Sequence, residues 1–211
     1  MGGYHGRGAK EVDQKRPQRR TGYKKAQHTP ISDAQAKALK SQPDTSQGRR
    51  DTLMMCLLLD HGLRVGEVIL LEVSHFDLRA GTLKFYRPKV DKAQTHKLTA
   101  DTLRALRAWM DSGDCAPVGP VLRGSRKGGK LTAAGMTSVG VGKRVQQLGQ
   151  QIGITNLSPH DCRHYWATYW AKRADLLPKG LFTLQESGGW RSLAMPRRYV
   201  EDSAIANEGM A

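Results

Sequence analysis

Residues 158–164 read SPHDCRH, and three of their side chains could do chemistry together. His160, Arg163 and His164 stand at positions i, i+3 and i+4, so on a helix they would share one face. Two histidines four residues apart are typical of some metal sites, whereas a histidine beside an arginine is typical of a clamp for an anion. A fragment of a hydrolase site is a third interpretation. The spacing alone admits all three.

The flanking residues favour the anion clamp. Ser158 is a favourable helix N-cap, Pro159 suits the first helical position and Asp161 completes a capping box. A helix N-terminus favours negative charge, and an arginine presents a planar fork that matches phosphate oxygens. A metal is disfavoured, because H-E-x-x-H sites have a Glu that is missing here and Arg163 would repel a cation. The structural alternative is that Arg163 forms a salt bridge and the histidines only pack.

The composition of the 211-residue chain favours a nucleic-acid partner. Its 34 Lys and Arg against 19 Asp and Glu give a net charge of +15, which repels itself unless something anionic offsets it. Nucleic acid is the commonest such partner, and a membrane surface is the second. The longest apolar run, residues 53–59, is too short to span a bilayer, and the N-terminus has no apolar signal segment. Three cysteines without paired spacing indicate a reducing compartment, so we expect a cytoplasmic protein.

The residue pattern divides the chain into an arm and one domain. Residues 1–28 carry eight Lys or Arg and two acidic residues with almost no apolar ones, which predicts a flexible basic arm. From residue 29 the pattern predicts helices over 29–42, 49–62, 64–73, 99–110 and 138–153 and from 158 onward. Alternation in 81–88, together with 95–99, predicts one small antiparallel sheet. We therefore expect a mainly α domain with a small antiparallel β-sheet (α+β) over 29–211.

Residues 121–135 are predicted to form a loop that carries a basic cluster. Within it, GSRKGGK at 124–130 has the skeleton of a phosphate-binding P-loop, but Leu131 stands where Ser or Thr would bind Mg²⁺. ATP is therefore not an expected ligand. The loop either faces the DNA backbone or is a plain surface turn. Its candidate DNA-binding residues are Arg123, Arg126, Lys127 and Lys130.

Two further segments contain arginines in unusual surroundings. Arg64 follows Gly62, which is expected to end an apolar helix, and Glu67 lies one helical turn further on. A buried arginine needs a carboxylate or a ligand, so Glu67 could orient Arg64; the alternative is a simple surface pair. The second segment, 188–200, places Trp190 and Tyr199 among the candidate DNA-binding residues Arg191, Arg197 and Arg198.

Four blocks of the sequence together resemble a known family. The blocks are GLRVGE at 62–67, PKVDK at 88–92, SPHDCRHYWAT at 158–168 and SGGWRSLAMPRRYV at 187–200. They are similar to the signature blocks of the tyrosine recombinase (phage integrase) catalytic domain, in that family's order and approximate spacing. The nine-residue step from Trp190 to Tyr199 equals the step that the family keeps before its nucleophile. The resemblance covers about residues 30 to 200 and implies the tyrosine recombinase catalytic-domain fold.

The resemblance implies a phosphate-binding role for four of these residues. Arg64 and Arg163 match the two arginines that grip the nonbridging oxygens of the scissile phosphate. His160 matches the histidine that donates to the same phosphate or assists proton transfer. Trp190 stands where many members carry histidine; an indole can donate a hydrogen bond to the phosphate but cannot shuttle a proton.

The resemblance also implies the groups that make and break bonds. Tyr199 matches the nucleophile. Lys89 is the best match for the lysine that protonates the departing 5′-hydroxyl, and Lys92 is the alternative. Glu67 and His164 match supporting residues that hold the arginine and the helix face.

The function implied is that of a site-specific DNA recombinase or integrase. Such an enzyme cleaves and rejoins strands through a 3′-phosphotyrosine intermediate without metal, ATP or another cofactor, since fixed cations stabilise the developing charge. The implied partners are double-stranded DNA, a homotetramer in the synaptic complex and, as a further candidate, an accessory DNA-bending protein. Two alternatives are a type IB topoisomerase, which lacks the GLRVGE and HDCRH blocks, and a non-catalytic DNA-binding relative.

Members of the family usually carry a DNA-clamping domain before the catalytic one. Here only the basic arm precedes the matching region. We therefore expect either an isolated catalytic domain or a chain similar to the short members of the family.

Overall fold

The computed structural model describes residues 28–201, which form eight α-helices and five β-strands. The helices are α1 Asp33–Leu39, α2 Ser46–Leu59, α3 Val65–Val68, α4 Ala100–Asp111, α5 Ser138–Gln151, α6 Pro159–Ala171, α7 Leu181–Gly188 and α8 Ala194–Glu201. The strands are β1 Phe76–Asp77, β2 Thr82–Arg87, β3 Lys92–Lys97, β4 Arg123–Ser125 and β5 Leu131–Gly135. The predicted class, mainly α with small antiparallel β structure, is confirmed.

The predicted basic arm, residues 1–28, lies outside the described residues except for His28. Residues 202–211 lie outside them as well. Within 28–201, none of the helices combines the length and the apolar character needed to cross a membrane.

Helix α2 is the centre of the main hydrophobic core. Its residues 53–59 are at most 3% exposed, and the helix packs against α4 and α6. The predicted burial of this segment is confirmed. The helix begins at Ser46, earlier than predicted, because the hydroxyl of Thr45 accepts a hydrogen bond from the backbone N–H of Gly48.

Gly62 turns the chain from α2 toward the start of α3. Its φ of +59° lies in the left-handed region, which glycine adopts at little cost. A Cβ at this position would lie 2.3 Å from the ring of Trp166, so the backbone also approaches α6 closely. The helix itself ends at Leu59, three residues before the predicted stop at this glycine. The turn presents the Gly62 carbonyl to Arg163.

A three-stranded antiparallel sheet runs in the order β1-β2-β3. Residues 82–87 of β2 pair in register with residues 97–92 of β3, which confirms the predicted antiparallel element. Leu83, Phe85 and Arg87 point inward along β2, so an arginine occupies the third position of an otherwise apolar row. The turn between β2 and β3 carries Lys89.

The predicted loop over 121–135 is wrong, because β4 and β5 form an antiparallel hairpin and a second sheet. The two strands have three and five residues and are rich in Gly and Ala, so no apolar alternation marks them. Arginine side chains brace the hairpin instead. Arg50 donates to the carbonyl of Arg123, and Arg123 donates to the carbonyl of Thr132. The expectation of one small sheet is therefore incomplete.

The C-terminal helices α6, α7 and α8 form a second, smaller core. Helix α6 begins as predicted, with a reciprocal capping box between Ser158 and Asp161 and with Pro159 in its first turn. It contributes Cys162 to the main core and Trp166 to the smaller one, so it joins the two. The buried residues of the smaller core are Trp166, Ala167, Ala171, Leu184 and Tyr199.

Replacing Gly62 by Ala should destabilise the protein more than replacing Gly81 by Ala. The φ values are +59° and +65°, so either substitution adds backbone strain of about 1–2 kcal/mol. Only the methyl at Gly62 would meet a ring, since nothing lies within 4 Å of a Cβ at Gly81. Overpacking adds about 1–3 kcal/mol, and urea unfolding measures the difference. Equal losses in the two variants would contradict the close approach of Gly62 to Trp166.

Candidate active site

A cleft of about 590 Å³ gathers most of the residues that the sequence singles out. Its walls are the start of α3, the β2–β3 turn, the first turns of α6 and the segment from Gly189 into α8. No acidic side chain is part of the lining within the described chain, whereas arginine, lysine and histidine all are. The cleft is therefore cationic and suited to an anion. The predicted residues that it brings together are Arg64, Lys89, His160, Arg163, His164, Trp190, Arg191, Arg198 and Tyr199.

Glu67 holds Arg64 at the start of α3. Nη1 of Arg64 lies 2.8 Å from Oε1 of Glu67, and the backbone N–H of Arg64 donates to Oε2 at 2.8 Å. The Glu67 side chain is 2% exposed and the Arg64 side chain 24%. The carboxylate is therefore buried rather than part of a surface pair, and the arginine extends from it to the cleft.

Arg163 is buried in the floor of the cleft and is held by backbone carbonyls. It is 4% exposed, and its guanidinium donates to the carbonyls of Gly62 and Gly188. No salt bridge to Arg163 occurs among the residues that the structure describes, in contrast to the structural alternative. Burial, and then repulsion from Arg64, lowers the pKa of Arg163 to about 9. The side chain remains charged at neutral pH, and a bound anion would stabilise that charge.

Trp190 and Tyr199 lie side by side against this arginine. The Trp190 ring centroid is 4.8 Å from Cζ of Arg163 and 5.8 Å from the Tyr199 ring. Tyr199, on α8, is 7% exposed and lines the same cleft as Arg64 and Arg163. Gly189 allows this arrangement through a φ of +61°, which ends α7 and turns the chain into Trp190.

Three histidine rings cluster at the mouth of the cleft. His28 stacks on His164 at a centroid distance of 3.9 Å and lies 5.1 Å from His160. His164 also meets the Tyr199 ring edge-on at 4.9 Å. Desolvation, and then the charges of His28 and Arg163, lower the pKa of His160, which favours its neutral form near pH 7. Among residues 28–201 no group of three His, Cys, Asp or Glu side chains is placed to hold a metal ion.

The two candidate lysines differ in position. Lys89, in the β2–β3 turn, lines the cleft, whereas Lys92 begins β3 and does not. The structure therefore favours Lys89 as the lysine nearer to a bound phosphate.

The other candidate DNA-binding residues lie in two places. Arg191 and Arg198 line the cleft, and Arg197 is exposed beside them on α8. Arg126, Lys127 and Lys130 are exposed around the β4–β5 turn. Arg123 is half-buried, and its guanidinium donates to the carbonyls of Thr132 and Asp114 within the fold.

Sequence reasoning missed two residues of the site region, His28 and Arg87. His28 falls in the predicted arm, and no local pattern marks its contact with α6. Arg87 is fully buried and donates to Glu67 behind the cleft. The alternation in TLKFYR carried a signal, because it places Arg87 on the same strand face as Leu83 and Phe85.

Comparison with known sequences gives a consistent result. Residues 30–204 match the model of the phage integrase family. The chain is 28% identical over 180 residues to tyrosine recombinase XerC of Herpetosiphon aurantiacus, which covers 82% of this chain and 56% of that protein. It is 30% identical over 153 residues to XerC of Azotobacter vinelandii, and this match covers 72% of this chain and 48% of that protein. The chain thus spans about half the length of the curated relatives it matches.

Solved structures share the fold. The XerA recombinase superposes with a TM-score of 0.68 at 23% identity, over 87% of this chain and 65% of that one. The XerH site-specific recombinase bound to its difH substrate superposes with a TM-score of 0.63 at 20% identity, over 87% of this chain and 52% of that one. The predicted tyrosine recombinase catalytic-domain fold is confirmed. With the family model matched over residues 30–204, the chain belongs to the phage integrase family.

Proposed function

We propose that this chain is the catalytic domain of a site-specific DNA recombinase that cleaves and rejoins strands through a 3′-phosphotyrosine at Tyr199. The observation that carries the proposal is the cleft itself, in which this phenol lies beside the buried Arg163 and the carboxylate-held Arg64. We assign the catalytic domain to residues 29–211, preceded by the basic segment 1–28.

The reaction exchanges one phosphate ester for another. The Tyr199 oxygen attacks the phosphorus, the bond to the 5′-oxygen breaks, and that oxygen takes up a proton. The DNA 3′ end remains joined to the protein, so the bond energy is conserved and a 5′-hydroxyl can later reverse the step without ATP. Charge develops on the nonbridging oxygens during each displacement, and fixed donors aimed at them lower the barrier.

The cationic side chains divide this work. Arg64 and Arg163 hold the nonbridging oxygens, and losing either should slow cleavage on the order of 10²–10³-fold. His160, with its lowered pKa, accepts the phenol proton or donates to the phosphate. Trp190 donates its indole N–H, and Lys89 protonates the leaving oxygen. Glu67 and His164 hold the arginine and the helix face.

The charge of the chain supports a DNA substrate. A net charge of +15 suits a polyanion, and the exposed Arg126, Lys127 and Lys130 add a basic surface beyond the cleft. Arg191, Arg197 and Arg198 extend the basic rim of the cleft itself. The XerH and Tn1549 integrase structures, which share this fold, are complexes with DNA.

The proposal also concerns the oligomeric state of the protein and its location in the cell. We propose a homotetramer on two DNA sites, helped by an accessory DNA-bending protein where the sites require it, in the cytoplasm. A type IB topoisomerase or a non-catalytic DNA-binding protein is less well supported, because the matched relatives are named tyrosine recombinases.

Replacing Tyr199 by Phe should abolish covalent capture of DNA while leaving DNA binding within a few-fold. The substrate is a pool of nicked duplexes with a randomised centre, incubated in EDTA and resolved on a denaturing gel. The wild-type chain should give a slower protein–DNA band, because the fragment beyond the nick diffuses away and traps the intermediate. A band of equal intensity in the Phe variant, or loss of binding in that variant, would overturn the assignment of the nucleophile.

Replacing Lys89 by Ala should slow cleavage far more than replacing Lys92 by Ala. Only Lys89 lines the cleft, and general acid catalysis contributes about 10²–10⁴-fold. A substrate with sulfur in place of the 5′-bridging oxygen leaves as a thiol without needing an acid. It should restore most of the rate of the Lys89→Ala variant. A larger loss of cleavage rate in Lys92→Ala, or no rescue of Lys89→Ala by the sulfur substrate, would contradict the assignment of Lys89 as the general acid.

A further inference from the structure

Arg87 is a charged residue that the proposed chemistry does not use, although it lies directly behind the cleft. Among the described residues, only Arg50 and Arg87 are arginines with 0% exposure. Arg87 follows Leu83 and Phe85 on the inward face of β2, so a charged side chain occupies a buried position in an otherwise apolar row. Its side chain does not line the cleft, so it would not touch a bound phosphate.

The guanidinium of Arg87 is fully used by the protein. Nη1 lies 3.1 and 3.3 Å from the two carboxylate oxygens of Glu67. Nη2 donates to the carbonyl of Ser187 at 2.6 Å, and Nη1 also donates to that of Gly188 at 3.2 Å. Nε donates to the side-chain oxygen of Gln94 at 2.6 Å. One side chain thus ties α3, β3 and the end of α7 together.

Two of these partners also hold the arginines of the cleft. Oε1 of Glu67 accepts from Nη1 of Arg64 at 2.8 Å, so one carboxylate lies between two guanidiniums. The carbonyl of Gly188 accepts from Nη2 of Arg163 as well as from Arg87. One contact of Arg64, to Glu67, and one contact of Arg163, to the Gly188 carbonyl, therefore end on groups that Arg87 also holds.

We propose that Arg87 is a positioning residue, which fixes Glu67 and the Gly188 carbonyl and thereby sets the spacing of Arg64 and Arg163 around the scissile phosphate. This inference rests on the proposed function. Without Arg87, the Glu67 carboxylate would be free to follow Arg64 instead of holding it. A displacement of about 1 Å at a reacting group can cost on the order of 10²-fold in rate.

The charges around Arg87 support a role in positioning the arginines of the cleft, in addition to any role in stability. Two guanidiniums share one carboxylate here, and burial lowers the pKa of Arg87 to about 10, with Glu67 opposing the shift and Arg64 adding to it. Replacing a buried ion pair by apolar side chains is often neutral or stabilising. Removing Arg87 alone would instead leave one side of the Glu67 carboxylate and two carbonyls without these donors, since only a fork of donors can join a carboxylate to two carbonyls.

The chain offers a matched control in Arg50. It is also 0% exposed and is paired with the carboxylate of Asp51, which a second arginine, Arg144, contacts from its other side. This second arrangement of two arginines around one carboxylate lies on α2 and α5, away from the cleft. Loss of Arg50 should therefore cost stability without disturbing the cleft.

The test is the single-turnover cleavage rate of Arg87→Met and Arg50→Met on a nicked duplex that the wild-type chain captures. It is measured at saturating DNA and at a temperature where circular dichroism shows both variants folded. The Arg87→Met variant should lose on the order of 10²-fold in rate with DNA affinity within a few-fold, and Arg50→Met should stay within about threefold of wild type. Arg87→Lys keeps the charge without the fork; it should be slowed by an intermediate factor and supplies the comparison if Arg87→Met does not fold.

A double variant separates positioning from general damage. If Arg87 acts through Arg64, adding Arg87→Met to Arg64→Lys should slow the reaction by much less than Arg87→Met does alone. Equal rates for the Arg87 and Arg50 variants, or a fully additive loss in the double variant, would overturn the inference while leaving the function intact. Absence of a covalent complex with the wild-type chain would overturn the proposed function, and the inference with it.

Discussion

The carboxylate of Glu67, held between the guanidiniums of Arg64 and Arg87, is the interaction on which the site depends. It is 2% exposed and links a short helix to the central strand of the three-stranded sheet. A single buried negative charge cannot neutralise three nearby arginines, so the region keeps a net positive charge that faces the cleft through Arg64. The arginine side chains are held in place before a phosphate binds, so its binding requires little reorganisation of the site.

The second constraint is that Arg163 is held by carbonyls from distant parts of the chain. Gly62 lies in the turn after the central helix α2, and Gly188 ends α7, yet both carbonyls must meet one guanidinium on α6. The apolar core around α2 and the smaller core of α6, α7 and α8 bring these ends together. The packing of the domain therefore serves to place backbone oxygens as well as side chains. Trp190 and Tyr199 then cover the arginine from the α8 side.

Local patterns in the sequence were sufficient to predict much of the fold and of the site. The capping box at Ser158 and the alternation of β2 depend on neighbouring residues, and both were predicted correctly. The β4–β5 hairpin was not, because its strands carry no apolar alternation and one of its contacts comes from Arg50, far away in the sequence. The contacts of Arg87 and His28 depend on which elements meet in space, which no window of the sequence contains. The sequence likewise does not decide between Lys89 and Lys92, because only the folded protein shows which of the two lines the cleft.

The central claim is that Tyr199 becomes joined to a DNA phosphate in this cleft, and mass spectrometry of the covalent product tests it most directly. Tryptic cleavage after Arg198 leaves residues 199–211 as a peptide with one tyrosine. After nuclease digestion, this peptide should carry a nucleotide attached through its 3′-phosphate to Tyr199, and the released strand should have a free 5′-hydroxyl. An adduct on another residue, a 5′-phosphate linkage, or cut DNA without any adduct would contradict it.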